Sequence, residues 1–266
     1  MDLDGEKLLF DCGPATTYKL VKAGVSPTEI DRLFFTHHHF DHDADFPAFV
    51  ITRWDQNVPT DRSLHVYGPP YTQEFVRRVL DEDTGAFAHD WLARVNQPGS
   101  QETYANRGGQ LPRSKPLVDA TDYEPGLIES TDSWEVRAVR AEHAQPFLDS
   151  LAYRLDSDQG SVVVTGDTRP CPAVTELATG ADTLLMMCWE SESRLEGTLQ
   201  AKGCTTIAGA AETAAKADVK RLVMVHVGER LGKPETHDER EEEVRRFWDG
   251  EVVWTEDLTE LPDLNS

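Results

Sequence analysis

The segment Thr36–Asp45 reads THHHFDHDAD, and within it His37, His39, Asp41 and His42 form the pattern H-x-H-x-D-H. Side chains two apart at a strand end or in a loop can converge on one ion. The adjacent Asp41 and His42 can turn towards a second. Neutral imidazole and carboxylate suit zinc and similar transition metals. A solvated histidine-rich loop would need neither the apolar run that leads into this segment nor the ligand-type residues that close other apolar runs. Three such residues follow: His143 after WEVRAVRAE, Asp167 after SVVVTG and His226 after RLVMV. Two divalent ions a few ångströms apart would lower the pKa of a shared water, supply hydroxide at neutral pH and neutralise charge on the attacked group. Asp41 is placed to orient that water, and Thr36 and Thr165 to fix imidazole tautomers. Residue types and spacing alone point to metal-assisted hydrolysis.

The elements that must hold these residues alternate between strand and helix. Lys7–Asp11 reads as a strand ending at Cys12-Gly13-Pro14, and Ala15–Ala23 as a short helix closed by Gly24. Ser26-Pro27 has the form of a helix start. Leu33–Thr36 is a strand, Asp45–Trp54 a helix, Ser63–Tyr67 a strand and Tyr71–Leu80 a helix. Residues 81–118 lose clear periodicity, as a lid or insertion does, with a helix around Phe87–Val95. Strands are predicted over Trp134–Arg140, Ser150–Leu155, Ser161–Thr165, Thr183–Cys188, Arg221–Val225 and Val252–Trp254. Helices are predicted over Thr205–Ala217 and Pro234–Trp248. Mixed strands and helices throughout predict α/β layers, with no internal repeat and a single domain over 1–266.

With these segments in view, the chain resembles the metallo-β-lactamase superfamily, and within it the ribonuclease Z-like and arylsulfatase-like branch. The resemblance rests on KLLFDCGP, the H-x-H-x-D-H motif, LHVYGPP, EHAQPFLDSLAYRLD, VVVTGDTRP and LVMVHVGER, in that order along nearly the whole chain. It implies an αββα sandwich with two metal ions at one edge. His37, His39 and His143 would hold the first ion, Asp41, His42 and His226 the second, and Asp167 would bridge them. It also implies a hydrolase that uses a metal-bridged hydroxide on a phosphodiester, as a phosphodiesterase or ribonuclease Z-like endoribonuclease does. An arylsulfatase-like or lactone/thioester hydrolase is the nearest alternative. A non-catalytic metal-binding protein is the alternative outside enzymes, and the full ligand set argues against it.

The chain departs from that family in places. His226 is followed by Val227-Gly228-Glu229-Arg230 where ribonuclease Z enzymes carry a Ser-Thr-type loop. Residues 81–118 hold Arg94, Arg107, Arg113 and Lys115 but also Asp81, Glu82, Asp83 and Asp90, so they form no clear basic arm. Only six residues precede Lys7, where related folds place one or two strands, so the first N-terminal strands are expected to be missing. The bare edge of Lys7–Asp11 would then favour a homodimer. His38 and His65 are expected to be structural, and His89 and His237 to lie at the surface, with either of the last two the alternative donor of a proton to the leaving group. Arg169 would either meet an anionic substrate or pair with a carboxylate.

The 266 residues carry 26 Lys+Arg against 48 Asp+Glu, a net charge of −22. This argues against a diffuse basic surface for nucleic acid, though a local basic channel remains compatible with it. So acidic a chain, with little Lys, suits a high-salt cytoplasm in which salt screens carboxylate repulsion, and a halophilic, cytoplasmic protein is expected. The substrate would be a small ester, a nucleotide or RNA. No apolar run approaches the roughly 20 residues of a membrane helix. Cys12, Cys171, Cys188 and Cys204 form no C-x-x-C pair and are read as reduced core thiols.

Overall fold

A computed structural model describes residues 1–3, 5–58 and 62–261. These divide into two compact units, Met1–Tyr123 and Glu124–Ser266.

In the first unit the strands are β1 (Asp2–Leu3), β2 (Glu6–Phe10), β3 (Ile30–Phe34), β4 (Leu64–Gly68) and β5 (Val118–Asp122), and they lie side by side in that order. All neighbours are parallel except β1 and β2. The outer side of β2 therefore has one neighbour, two residues long. Met1 extends it by exchanging bonds with Leu8, its amino group donating to Leu8 O at 2.8 Å and its carbonyl accepting from Leu8 N at 2.9 Å.

The helices of this unit are α1 (Thr16–Lys22), α2 (Phe40–Asp43), α3 (Phe46–Gln56), α4 (Thr72–Leu80), α5 (Ala88–Asn96) and α6 (Pro98–Asn106). Leu33, Leu64 and Val66 from the strands, with Phe35 just after β3, bury against Phe46, Phe49, Val50, Val76 and Val79 from α3 and α4. Residues 81–118, expected to lack periodicity, hold two helices. α5 seats Ala88 and Trp91 on Trp54. α6 begins on Pro98 and is capped by Gln97, whose Oε1 accepts from Ser100 N at 2.6 Å. Proline at the first helical position with a polar cap is a helix start that a low apolar content conceals.

In the second unit the sheet order is β12 (Glu251–Trp254), β11 (Arg221–Val225), β10 (Thr183–Met187), β9 (Gly160–Val164), β8 (Leu151–Ser157), β7 (Trp134–Arg140) and β6 (Gly126–Ser130). β9 to β12 are parallel, and β6 to β9 form an antiparallel meander. α7 (Pro172–Leu177), α8 (Glu192–Leu195), α9 (Ile207–Ala217) and α10 (His237–Arg245) complete the unit. The apolar face of α9, Ile207, Ala210, Ala211, Ala214 and Ala217, is fully buried with Leu184, Met186, Leu222 and Met224. Alanines let the helix lie close to the sheet, and they carry the highest helix propensity. No helix among the described residues is long and apolar enough to cross a membrane.

Candidate metal centre

Each unit carries part of the expected ligand set, at the carboxyl ends of its strands, where open α/β sheets place their sites. In the first unit, β2 runs into Asp11 and β3 into His37. Asp11 has a left-handed backbone (φ 59°), a cost of about 1–3 kcal/mol that persists only where surroundings enforce it. They do so here. Asp11 N donates to Phe34 O at 2.8 Å. Its carboxylate accepts from Thr36 N at 2.7 Å, from Thr36 Oγ1 at 2.8 Å and from His42 Nδ1 at 2.7 Å.

These bonds determine protonation. Thr36 Oγ1 spends its one proton on Asp11, so at 3.0 Å it accepts from His37 Nδ1–H. His42 Nδ1–H points at Asp11. Both imidazoles therefore present Nε2 as a lone-pair donor, the form a metal requires. His37 Nε2 lies 3.0 Å from His39 Nδ1, close to the ~3.3 Å edge of a tetrahedron of zinc ligands with bonds near 2.0–2.1 Å. Asp41 and His42 sit on the single turn of α2 that follows His39, with Asp41 Oδ2 3.8 Å from His42 Nε2. Gly13 allows this turn to close. A Cβ there would fall 2.0 Å from the carbonyl oxygen of Asp41.

The second unit repeats the scheme. His143 follows β7 and donates Nδ1–H to Gly203 O at 2.6 Å, leaving Nε2 as the donor, 3.7 Å from Asp167 Oδ2. Asp167 follows β9, and its Oδ2 lies 3.5 Å from Nε2 of His226. His226 ends β11 with a left-handed backbone (φ 49°). Gly203 again lies against a ligand's backbone, since a Cβ there would meet His143 O at 2.3 Å.

Within the first unit the fold brings together His37, His39, Asp41 and His42, and within the second His143, Asp167 and His226. The donor set fits transition-metal ions: its carboxylate and ring-nitrogen spacings suit shared ions, and hydrogen bonds fix the tautomers of three of the imidazoles. Thr36 helps to fix them as expected, whereas Thr165 Oγ1 donates to Gly166 O at 2.7 Å. Sequence reasoning missed Asp11 and the Gly203 carbonyl. Asp11 carries the signal that identified Asp167, a carboxylate closing an apolar strand. A backbone carbonyl carries none.

The remaining candidates have structural partners. His38 is buried, with Nδ1 3.2 Å from Asp43 Oδ2 and Nε2 2.8 Å from Thr72 Oγ1. Thr72 Oγ1 in turn donates to Pro69 O. His65 faces Asp119 at 3.6 Å, and exposed His237 faces Asp238 at 3.5 Å. His89 lies on α5. Arg169 pairs with Glu142. Arg230, in the loop after His226, is held by Glu190 and Glu239. All four cysteines are free thiols. Burial and, secondarily, the Asp167 carboxylate push the Cys204 thiol up to about 11, so it stays protonated at neutral pH.

A family model described as a beta-lactamase superfamily domain matches residues 6–227. The ribonuclease Z of Mycobacterium avium (strain 104) is 30% identical over 230 residues, covering 84% of this chain and 76% of that protein. That of Mycolicibacterium gilvum is 28% identical over 262 residues, covering 96% and 85%. Among solved structures, the metallo-beta-lactamase fold protein YhfI of Bacillus subtilis superposes with a TM-score of 0.70 at 18% identity, covering 96% of this chain and 87% of its own. The short form of human tRNase Z gives 0.67 at 20% identity, covering 99% and 90%. The α/β architecture is thus the metallo-β-lactamase fold. The chain belongs to the beta-lactamase superfamily, as one of its metal-dependent hydrolases.

Proposed function

We propose that the protein is a ribonuclease Z-like phosphodiesterase that cleaves RNA with two divalent metal ions, zinc foremost. In this reading His37, His39, His143 and Asp167 serve one ion and Asp41, His42 and His226 the other, with Asp167 shared. The observation that carries it is the set of hydrogen bonds at Asp11, Thr36 and Gly203, which fix His42, His37 and His143 with Nε2 as donor. In each of the three the remaining nitrogen, Nε2, faces another candidate ligand, His39 for His37, Asp41 for His42 and Asp167 for His143, as the coordinating nitrogen of a metal-bound imidazole does. The choice of phosphodiester draws on the curated relatives, which are ribonuclease Z enzymes.

Bound ions would lower the pKa of a coordinated water towards neutrality and offset the negative charge that builds on the phosphoryl and leaving oxygens. The chain's own residues do the positioning. Asp41, half-exposed beside His42, accepts a hydrogen bond from the attacking water and so aims its lone pair. Asp11 holds His42 and, through Thr36, His37 in register. Residues 1–266 work as one catalytic domain, with 81–118 as an insertion in it, in a cytoplasm of high salt.

The test is a side-by-side assay of purified, metal-loaded protein on a precursor tRNA, a chromogenic phosphodiester, an aryl sulfate and a lactone, in high and low KCl. Cleavage of the tRNA and the phosphodiester is expected. Turnover of the sulfate or the lactone with neither phosphodiester touched would overturn the substrate and leave the metal centre standing.

A further inference from the structure

In the first unit, the end of α3, α5, α6 and the chain leading to β5 line an open cavity of about 350 Å³. It is lined by Arg94, Arg107 and Arg113 around a single lining carboxylate, Asp55, with Ser100 and Thr103 on the α6 side. This is unusual in a chain whose carboxylates outnumber its cations by 22. Asp55 cannot satisfy all three guanidiniums. It bonds Arg113 at 2.9 Å, and its oxygens lie 3.4 Å from Arg94 and 3.5 Å from Arg107. The last two distances are at the outer limit of a hydrogen bond. Arg94 also pairs with Asp90 at 2.9 Å. Counting both carboxylates, one positive charge remains in excess, and Arg107 is the guanidinium held most loosely.

The three arginines play different parts. Arg113 is buried, its guanidinium 3.9 Å from the centre of the Trp54 ring and 4.6 Å from that of Tyr104. It is a fixed cation, already desolvated and stacked. Arg94 and Arg107 are 42% and 38% exposed, so their forks can swing to a guest at small cost. The N-terminal turn of α6 lines the same cavity through Gly99 and Ser100. Its partial positive charge favours an anion there. Planar guanidinium forks and the Ser100 hydroxyl, beside a helix start whose Ser100 N–H is held by the Gln97 side chain, match the oxygens of a phosphoryl group.

We propose that this cavity is a phosphoryl-binding site, separate from the metal ligands in residue content, that takes a phosphate of the substrate chain or of a free phosphate compound. That the phosphate belongs to RNA rests on the proposed function; that the cavity binds phosphoryl oxygens does not. It would give an acidic protein a local foothold on a polyanion without a basic arm.

The experiment is calorimetric titration of the full-length, metal-loaded protein with inorganic pyrophosphate and with a short single-stranded RNA carrying non-hydrolysable linkages. Wild type is compared with the double variant Arg94→Ala, Arg107→Ala and with the surface control Arg137→Ala, at low and high KCl. The double variant is expected to lose one pyrophosphate site or to weaken it at least tenfold. It should keep wild-type turnover of a small chromogenic phosphodiester, and the control should match wild type. A parallel loss with the RNA assigns the phosphate to a nucleic-acid backbone. A loss confined to pyrophosphate assigns it to a free phosphate compound. Equal stoichiometry and affinity in wild type and double variant for both ligands would overturn the site. Because binding is read without turnover, that failure is distinct from failure of the ribonuclease reading.

Discussion

His42 Nδ1 donates to Asp11 Oδ2 across 2.7 Å, tying the end of β2 to the turn that carries Asp41 and His42. In Asp11→Asn one oxygen becomes an amide donor, while asparagine still tolerates the left-handed backbone. If that amide faces His42, the imidazole must move its proton to Nε2 and ceases to be a ligand. In the proposed two-ion site, affinity for one ion is expected to fall about 10–100-fold with the circular dichroism spectrum unchanged, measured by chelator competition. Unaltered affinity for both ions would show that Asp11 only braces the loop.

Asp41→Ala removes a half-exposed carboxylate from a four-residue turn and leaves the packing of Phe46 and Phe49 intact. Turnover should drop about 10³-fold or more, corresponding to the loss of several kcal/mol of transition-state stabilisation, with Tm nearly unchanged. Near-normal turnover with saturating metal would contradict the role given to Asp41.

Phe40 stands between His39 and Asp41 with 74% of its surface exposed. An apolar ring left in water inside a ligand motif is well placed to stack on a base, a contact worth about 1–3 kcal/mol. Phe40→Ala is expected to raise KM for RNA about tenfold or more while leaving a chromogenic phosphodiester without a base unaffected. An equal effect on both substrates would make Phe40 a loop-packing residue instead.

Burial holds the Glu243 carboxyl above the usual range, and the carboxylates of Glu192 and Glu239 add to this, against backbone N–H bonds from Glu192 and Ala208. The folded state thus keeps this proton after the unfolded chain has lost it. Stability attributable to Glu243 falls as pH rises from the ordinary glutamate value of 4.5 towards the folded value, and stays low above that. Glu243→Gln preserves the acceptor oxygen and removes the charge. Its Tm should exceed wild type by about 2 °C at pH 7, with the gain vanishing at acid pH. A lower Tm at pH 7 would mean that the ionised carboxylate is stabilising.

With a net charge of −22, self-repulsion should weaken as the screening length falls from about 10 Å at 0.1 M salt to about 3 Å at 1 M. Both Tm and activity are expected to rise over that range of KCl. Flat profiles would reject the high-salt origin inferred from composition.

How far the fold could be read from the chain varied with how much apolar signal each element carried. β11, spelled RLVMV, and β7, with its alternation of Trp134, Val136 and Ala138, were legible to the residue. β5 (VDATD) and β6 (GLIES) were not anticipated, because each owes its place to ladder bonds with a neighbour more than to its own side chains. The helix predicted from Pro234 begins in α form only at His237, after a 3₁₀ turn. All seven metal-ligand candidates were visible because imidazole and carboxylate at strand ends are distinctive. One support was not, since the carbonyl of Gly203 under His143 is set by tertiary approach.

Gly13 and Gly203 give the molecule a vulnerability that its donors do not reveal. Each lies where any side chain would run into a carbonyl oxygen, on Asp41 and on His143 respectively, and a main chain that bears a metal ligand cannot move aside without carrying the ligand with it. A single-base change at either codon replaces hydrogen with a carbon and displaces a donor while leaving every histidine and aspartate in the gene. Relatives that have drifted to inactivity can therefore retain the complete motif. Telling a working copy from a silent one requires reading these two glycines alongside the seven candidate ligands.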